Sequence, residues 1–213
     1  MSEADSPREE PEAIVHIVDD DKAARDGLAQ AISTPSRRIQ TYSSAEDFLR
    51  GYEDRAPGCL ILDMRMPAGM SGVALMRQLR ERRIIIPTIA VTGHPQWQVA
   101  RDMMGLGAFD YVEKPIRNMP GFQDLVEQAL RRDRDERIVR IKRLETLARL
   151  STLSPREHEI LDNIVDDKSS AEVANILGLS QKTVEGHRST VLKKMGVEST
   201  VQLVRLLCQA NVI

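Results

Sequence analysis

The chain has 213 residues, of which 41% are hydrophobic and 29% charged, and its formal net charge is -2; this is the composition of a soluble globular protein with one large domain or two small ones. No global basic field marks it for nucleic acid, so any DNA-binding surface has to be a local cluster. Two cysteines, Cys59 and Cys208, exclude a disulfide framework, read as core residues and point to a reducing compartment, and no run of about eighteen apolar residues is present to span a bilayer.

Residues 1–12 are acidic and contain proline instead of a basic and then hydrophobic run, which predicts a disordered tail on a cytoplasmic protein rather than an export signal. Residues 13–121 alternate two periods. Short β-branched runs at 14–18, 38–42, 59–62, 85–91 and 109–112 are separated by helical stretches at 22–33, 44–52, 72–83 and 96–106, the βα alternation of a parallel sheet. Ser44 followed by Asp47 has the spacing of a capping box.

From 122 to 150 the chain has no Gly or Pro, and apolar residues recur through Leu125, Ala129, Leu130, Ile138, Ile141, Leu144, Leu147 and Ala148. This is the last helix of the first domain running on into a helical linker. Its middle, "RRDRDER", is charged all round and is expected to run through solvent. The stripe Ile141, Leu144 and Ala148 fits either packing onto the next domain or a short dimer coiled coil.

Beyond Ser151 only short helices remain, at 155–165, 170–177, 181–194 and 199–209, the first opened by Ser154, Pro155 and Glu157. The fold expected is therefore an α/β, doubly wound, five-stranded parallel domain of strand order 2-1-3-4-5, a long helical linker, and a small all-α domain of four helices at 151–213.

In such a sheet the functional crevice lies outside the carboxyl ends of the strands. The first strand ends in Asp19 and Asp20, the third in Asp63, the fourth in Thr92 and the fifth in Lys114. With that strand order three carboxylates converge, and like charges at close range repel unless they hold something. Hard oxygen ligands without a Cys or His cluster favour Mg²⁺. Asp63 can then serve as a carboxylate nucleophile, with Lys114 offsetting phosphoryl charge and the Thr92 hydroxyl donating to it. Each residue alone has a plainer role: Asp21 caps the helix beginning near Lys22, Thr92 is a turn residue, and Lys114 a solvated charge.

The motifs "IVDDD", "LDMRMP", "VTGH" and "YVEKP" resemble the receiver domain of two-component response regulators. The resemblance implies that a partner histidine kinase phosphorylates Asp63, and that Asp19, Asp20, Asp63 and the backbone carbonyl of Arg65 bind Mg²⁺. It also implies that Thr92 and Tyr111 form a switch pair, that the Lys114 to Pro115 bond is cis, and that Arg65 and His94 flank the attacking water. Two loops, "MPAGMSG" at 66–72 and "RNMPGF" at 117–122, are longer than the family pattern.

The segment 169–197 reads as a helix, a turn at Gly178 and a second helix begun by Ser180, a helix-turn-helix. Val173, Ala174, Ile176, Leu177, Val184, Val191 and Leu192 are spaced to form its core. Lys182, Thr183, Arg188, Lys193 and Lys194 suit phosphate contacts, and Glu185, Gly186 and Ser189 are the base-facing positions. A solvated basic face on a helical interaction module is the plainer alternative. "LSPREHEIL" with "TVEGHRSTVLKKMGV" resembles the LuxR-type effector domain of the FixJ/NarL class, which implies double-stranded DNA as partner and a homodimer when phosphorylated. Ser170 and Ala171 stand where that family often has Asn-Lys, which removes one phosphate contact. Residues 151–213 hold seven basic and eight acidic residues, so moderate affinity that falls steeply with salt is expected.

These readings together describe a transcriptional regulator switched by phosphorylation, not an enzyme apart from self-phosphorylation and autodephosphorylation. The alternatives are a phosphorylation-independent DNA-binding regulator and a Mg²⁺-dependent phosphohydrolase; against the latter, Arg65 stands where a general acid would be needed.

Overall fold

The structure is a computed structural model that describes residues 12–35, 37–67, 69–93 and 97–213. His94 and all of the expected tail except Glu12 lie outside the described residues. The chain divides into two compact units, residues 1–135 and 136–213.

In the first unit β1 (Ala13–Val18), β2 (Arg37–Tyr42), β3 (Gly58–Asp63), β4 (Thr88–Thr92) and β5 (Asp110–Glu113) form one parallel sheet in the order β2-β1-β3-β4-β5, as the alternation of periods predicts. Between them run α1 (Lys22–Ile32), α2 (Ala45–Gly51), α3 (Gly72–Glu81) and α4 (Trp97–Gly105), and α5 (Met119–Leu150) follows β5. Both β3 and β4 are buried along their whole length, which is why "CLILD" and "TIAVT" are nearly continuous apolar runs. Successive β3 side chains feed opposite faces: Leu60 and Leu62 join Phe48, Leu75 and Met103, whereas Cys59 and Ile61 join Val15, Ile17, Phe122 and Val126. Burial drives the Cys59 thiol far above its ordinary range.

The helix starts have visible causes. Asp21 accepts from the amides of Ala23 and Ala24 at 2.8 and 3.3 Å, so it is the cap of α1. Ser44 accepts from the Asp47 amide at 3.1 Å, but Asp47 turns its carboxylate to Ser43 and Arg50; only half of the expected box forms.

Two element starts differ from expectation by three residues. The strand expected from 85 begins at Thr88, because Arg83 turns left-handed (φ 56°) and the Ile84 amide bonds back to the Leu79 carbonyl, closing α3. The last helix of this unit starts at Met119 rather than 122, with Asn118 accepting from the Gly121 amide at 3.0 Å and Pro120 tolerated in the first turn. The charged stretch of α5 is not wholly solvated. Asp133 is 2% exposed and accepts the Gly58 amide at 2.8 Å, and Arg37, buried at the start of β2, pairs with Glu127 of the same helix.

The second unit packs the C-terminal half of α5 with α6 (Pro155–Val165), α7 (Ser170–Leu177), α8 (Gln181–Met195) and α9 (Thr200–Gln209) around Leu153, Ile160, Ile164, Val173, Val184, Val191, Met195, Leu203 and Leu207. Complete capping boxes open α6 (Ser154, Glu157) and α7 (Ser169, Glu172). Gly178, at φ 65°, lets the chain turn from α7 into α8. Of the predicted core, Ile176 is 58% exposed. Cys208 is exposed too; it sits on the outer face of α9, beyond the stripe Leu203 and Leu207 that is buried.

Candidate functional site

The sheet register brings the acids together. Val18 lies beside Leu62 and Asp63 beside Val91, so β1, β3 and β4 terminate side by side and the residue after β1, Asp19, meets the last residue of β3. One carboxylate oxygen from each of Asp19, Asp20 and Asp63 lies within 4.8 Å of the others. Asp19 and Asp63 are buried and Asp20 is exposed, so the cluster opens to solvent on one side.

Lys114, carried just beyond β5, reaches back over the pocket. Its Nζ lies 2.7 Å from Asp19 Oδ2 and 3.4 Å from Asp63 Oδ1. The Lys114–Pro115 bond is cis, as the resemblance implies. Burial pushes the Asp63 carboxyl above its ordinary range; the Lys114 ammonium opposes this, Asp19 adds to it, and the Arg65 amide, 3.4 Å from Oδ1, favours the anion. Thr92 is buried at the end of β4. Tyr111, on β5, is half-buried, and its hydroxyl is buried with no hydrogen-bond partner among the described residues.

The donor set fits a small hard cation. All three ligands are carboxylate oxygens, with no sulfur or imidazole among them, and their spread is close to the ~4.2 Å across which opposite ligands of an octahedral Mg²⁺ lie.

Several supporting groups have no signature in the sequence. Arg25 Nη1 donates to the Asp19 carbonyl at 2.6 Å, and the Asp21 amide donates to Asp19 Oδ1 at 2.9 Å; together they fix the first acid. Glu46 accepts the Met70 amide at 2.8 Å and so braces the longer loop after β3. A side chain at Gly72 would meet the Asp63 carbonyl at 2.8 Å, so α3 can press against the acidic strand end only with glycine there.

On α8, Lys182, Thr183, Glu185, Gly186, Ser189 and Lys193 are exposed, and a side chain at Gly186 would meet nothing within 4 Å. Arg188 and Lys194 have work inside the domain. Arg188 Nη1 donates to the Lys168 carbonyl at 2.9 Å, and Lys194 Nζ bonds the Thr152 carbonyl at 3.1 Å and Glu157 at 2.6 Å. With Lys194 first and the Ser154 amide next, these bonds hold the Glu157 carboxyl down at about 2. Glu185 accepts from Gln181 at 3.0 Å.

Residues 15–127 match the family described as response regulator receiver domain, and residues 151–207 match the luxR family of bacterial regulatory proteins. The chain belongs to the response regulators of the FixJ/NarL type. It is 36% identical over 197 residues to the transcriptional regulatory protein TdiR of Thauera aromatica, covering 92% of this chain and 86% of that one. The transcriptional regulatory protein FixJ of Rhizobium meliloti is also 36% identical, over 196 residues, 90% of this chain and 93% of its own. Among solved structures, the response regulator StyR superposes with a TM-score of 0.82 at 31% identity, covering 92% of this chain and 98% of that one. As a response regulator with a LuxR-type domain, the protein is a phosphorylation-dependent transcriptional regulator of a two-component system. Among the described residues no helix is long and apolar enough to cross a membrane.

Proposed function

We propose that Asp63 is the phosphoacceptor of this response regulator and that its phosphorylation controls DNA binding through α8. The observation that carries the reading is the convergence of Asp19, Asp20 and Asp63 with Lys114 at adjacent strand ends. The receiver is read as 13–121, the linker helix as 122–150 and the DNA-binding domain as 151–213.

In the transfer, an Asp63 carboxylate oxygen forms the new bond to phosphorus while the phosphorus–nitrogen bond to the imidazole of a kinase phosphohistidine breaks, and the imidazole leaves with the electron pair. Asp19, Asp20, Asp63 and the Arg65 carbonyl would hold Mg²⁺, which would supply charge stabilisation for the phosphoryl oxygens. Lys114 swings from Asp19 to the product, adding an ammonium–oxygen bond. The Thr92 hydroxyl donates to another phosphoryl oxygen, and Tyr111 occupies the space behind it. The same pocket supports self-phosphorylation from small phosphodonors and autodephosphorylation. Exposed Lys182, Thr183 and Lys193 contact DNA phosphates, Glu185, Gly186 and Ser189 face the bases, and Arg188 and Lys194 contribute mainly by fixing the helix. The phosphorylated protein works in the cytoplasm as a homodimer on double-stranded DNA.

The test is incubation with acetyl phosphate and Mg²⁺, comparing wild type and Asp63→Asn by intact mass and by gel shift on the promoter of its own operon. Wild type gains one phosphoryl mass and a tighter shift, and the variant gains neither. Equal uptake by the variant overturns the assignment of the acceptor.

A further inference from the structure

The second half of α5 leaves apolar side chains in solvent. Ile138, Ile141, Leu144 and Leu147 are 47%, 47%, 62% and 43% exposed, an arrangement that costs apolar burial unless something covers it. Their placement around the helix is ordered. At ~100° per residue, Arg137, Ile141, Leu144 and Ala148 fall within an arc of about 60°, and Thr146, which is 1% exposed and packs into the second unit, points about 170° away from its centre. The face is therefore the one that cannot reach its own domain's core.

We propose that this face pairs with the same face of a second copy in a short parallel coiled coil. The spacing 137, 141, 144, 148 is the 4-3-4 of a heptad seam, with β-branched Ile141 and small Ala148 at one layer type and Leu144 at the other, the choice that favours two parallel strands. The charges flanking the seam agree. Arg140 lies on one side and Glu145 on the other, five residues on, so in a parallel pair in register each Arg140 meets the Glu145 of the second copy. Ile138 and Leu147 border the seam and widen its apolar area. An antiparallel pair sets Ile141 against Ala148 and loses that register of charge.

The seam is about two heptads long, below the length at which helices pair stably on their own. It therefore closes only when the two copies are already held at high local concentration, as by phosphorylated receivers or by adjacent half-sites on DNA. The inference deepens the proposed function by giving its homodimer a surface; it rests on that reading only for what triggers closure.

The experiment uses the full-length chain with Cys208→Ser, treated with acetyl phosphate and Mg²⁺, leaving the buried Cys59 in place. Ile141→Cys and Ala148→Cys each form self-linked disulfide dimers under mild oxidation, while Lys142→Cys, on the opposite side of the helix, does not. In sedimentation, the double variant Ile141→Lys and Leu144→Lys weakens the dimer by a factor of about 100, on the order of 2–3 kcal/mol. Both positions are exposed, so circular dichroism and melting are unchanged. Linkage only in a mixture of Ile141→Cys with Ala148→Cys overturns the parallel register. A phosphorylated wild type that dimerises, with no link at either position and no loss in the double variant, overturns the surface and leaves the proposed function standing. A wild type that gains phosphoryl mass and stays monomeric overturns the pairing as well. Failure of Asp63 to accept phosphate overturns the proposed function instead, and the seam is then read from the same disulfides at high concentration of the untreated chain.

Discussion

Acid should weaken the receiver through the His16 imidazole. His16 is 2% exposed on β1, stacked against Tyr42 and edge-on to Phe48 and Tyr52, with its Nδ1 3.1 Å from the Tyr42 hydroxyl. That hydroxyl already donates to Gln40 at 2.9 Å. Burial lowers the His16 pKa from 6.5 to about 4, because the cation would lose its hydration. The unfolded chain therefore binds a proton that the native state refuses between those two values, and stability falls as pH drops through 6.5, reaching its floor below about 4. The full difference is about 3 kcal/mol at 1.36 kcal/mol per unit, and about 2 kcal/mol of it is lost between pH 7 and pH 5. Set against a typical stability of about 5–15 kcal/mol, this is between about a fifth and about three fifths of the total. The assay is urea denaturation followed by circular dichroism at both pH values for wild type and His16→Phe, which keeps an aromatic ring and removes the titration. Wild type should lose about 2 kcal/mol more than the variant over that interval. Equal losses in the two proteins, or a His16 ring titrating near 6.5 by NMR, would refute the reasoning.

Tyr111→Phe removes a buried hydroxyl that lacks a partner among the described residues, so the melting temperature should hold or rise, by up to the equivalent of about 1 kcal/mol; a clear fall in a thermal melt would mean the hydroxyl is bonded. Gly186→Ala adds a methyl group into open space and should stabilise α8 by up to about 1 kcal/mol while weakening operator binding in a gel shift; unchanged binding would remove Gly186 from the base-facing set. Lys193→Met should reduce the salt slope of DNA binding by about 1 without touching stability. Lys194→Met should instead loosen the domain, since it releases Glu157: the stability that Glu157 gives is present above its ordinary range and is lost as pH falls toward about 2, and in the variant that loss is smaller and is complete at higher pH. Identical acid melts of the isolated transitions in the two proteins would contradict the ion pair.

The sheet order and the meeting of Asp19, Asp20, Asp63 and Lys114 were readable because each residue ends a strand, and parallel strands end together. The role of Asp21 was readable because a short polar side chain before a helix has one dominant use. What the residues concealed depends on contacts distant in the chain. Nothing near Asp133 announces that it will take the amide of Gly58, 75 residues away, and periodicity alone made "RRDRDER" look solvated. Local propensity favours a strand from Ile85, but the return bond from Ile84 to Leu79 closes α3 there and the strand begins only at Thr88. A lysine's spacing on α8 does not reveal whether it points outward, as Lys193 does, or folds back onto Glu157, as Lys194 does.

The two cations that α8 keeps for its own domain bear on how the protein finds its target. With Arg188 and Lys194 bonded to backbone carbonyls and Glu157, the outward strip on that helix carries little charge beyond Lys182 and Lys193. Random DNA offers such a helix only phosphates, and few ammonium groups are free to displace counterions from them. With α8 against DNA as proposed, the protein should leave the wrong places quickly, and the margin between operator and bulk genome should widen because background attraction is low, with no need for more numerous base contacts.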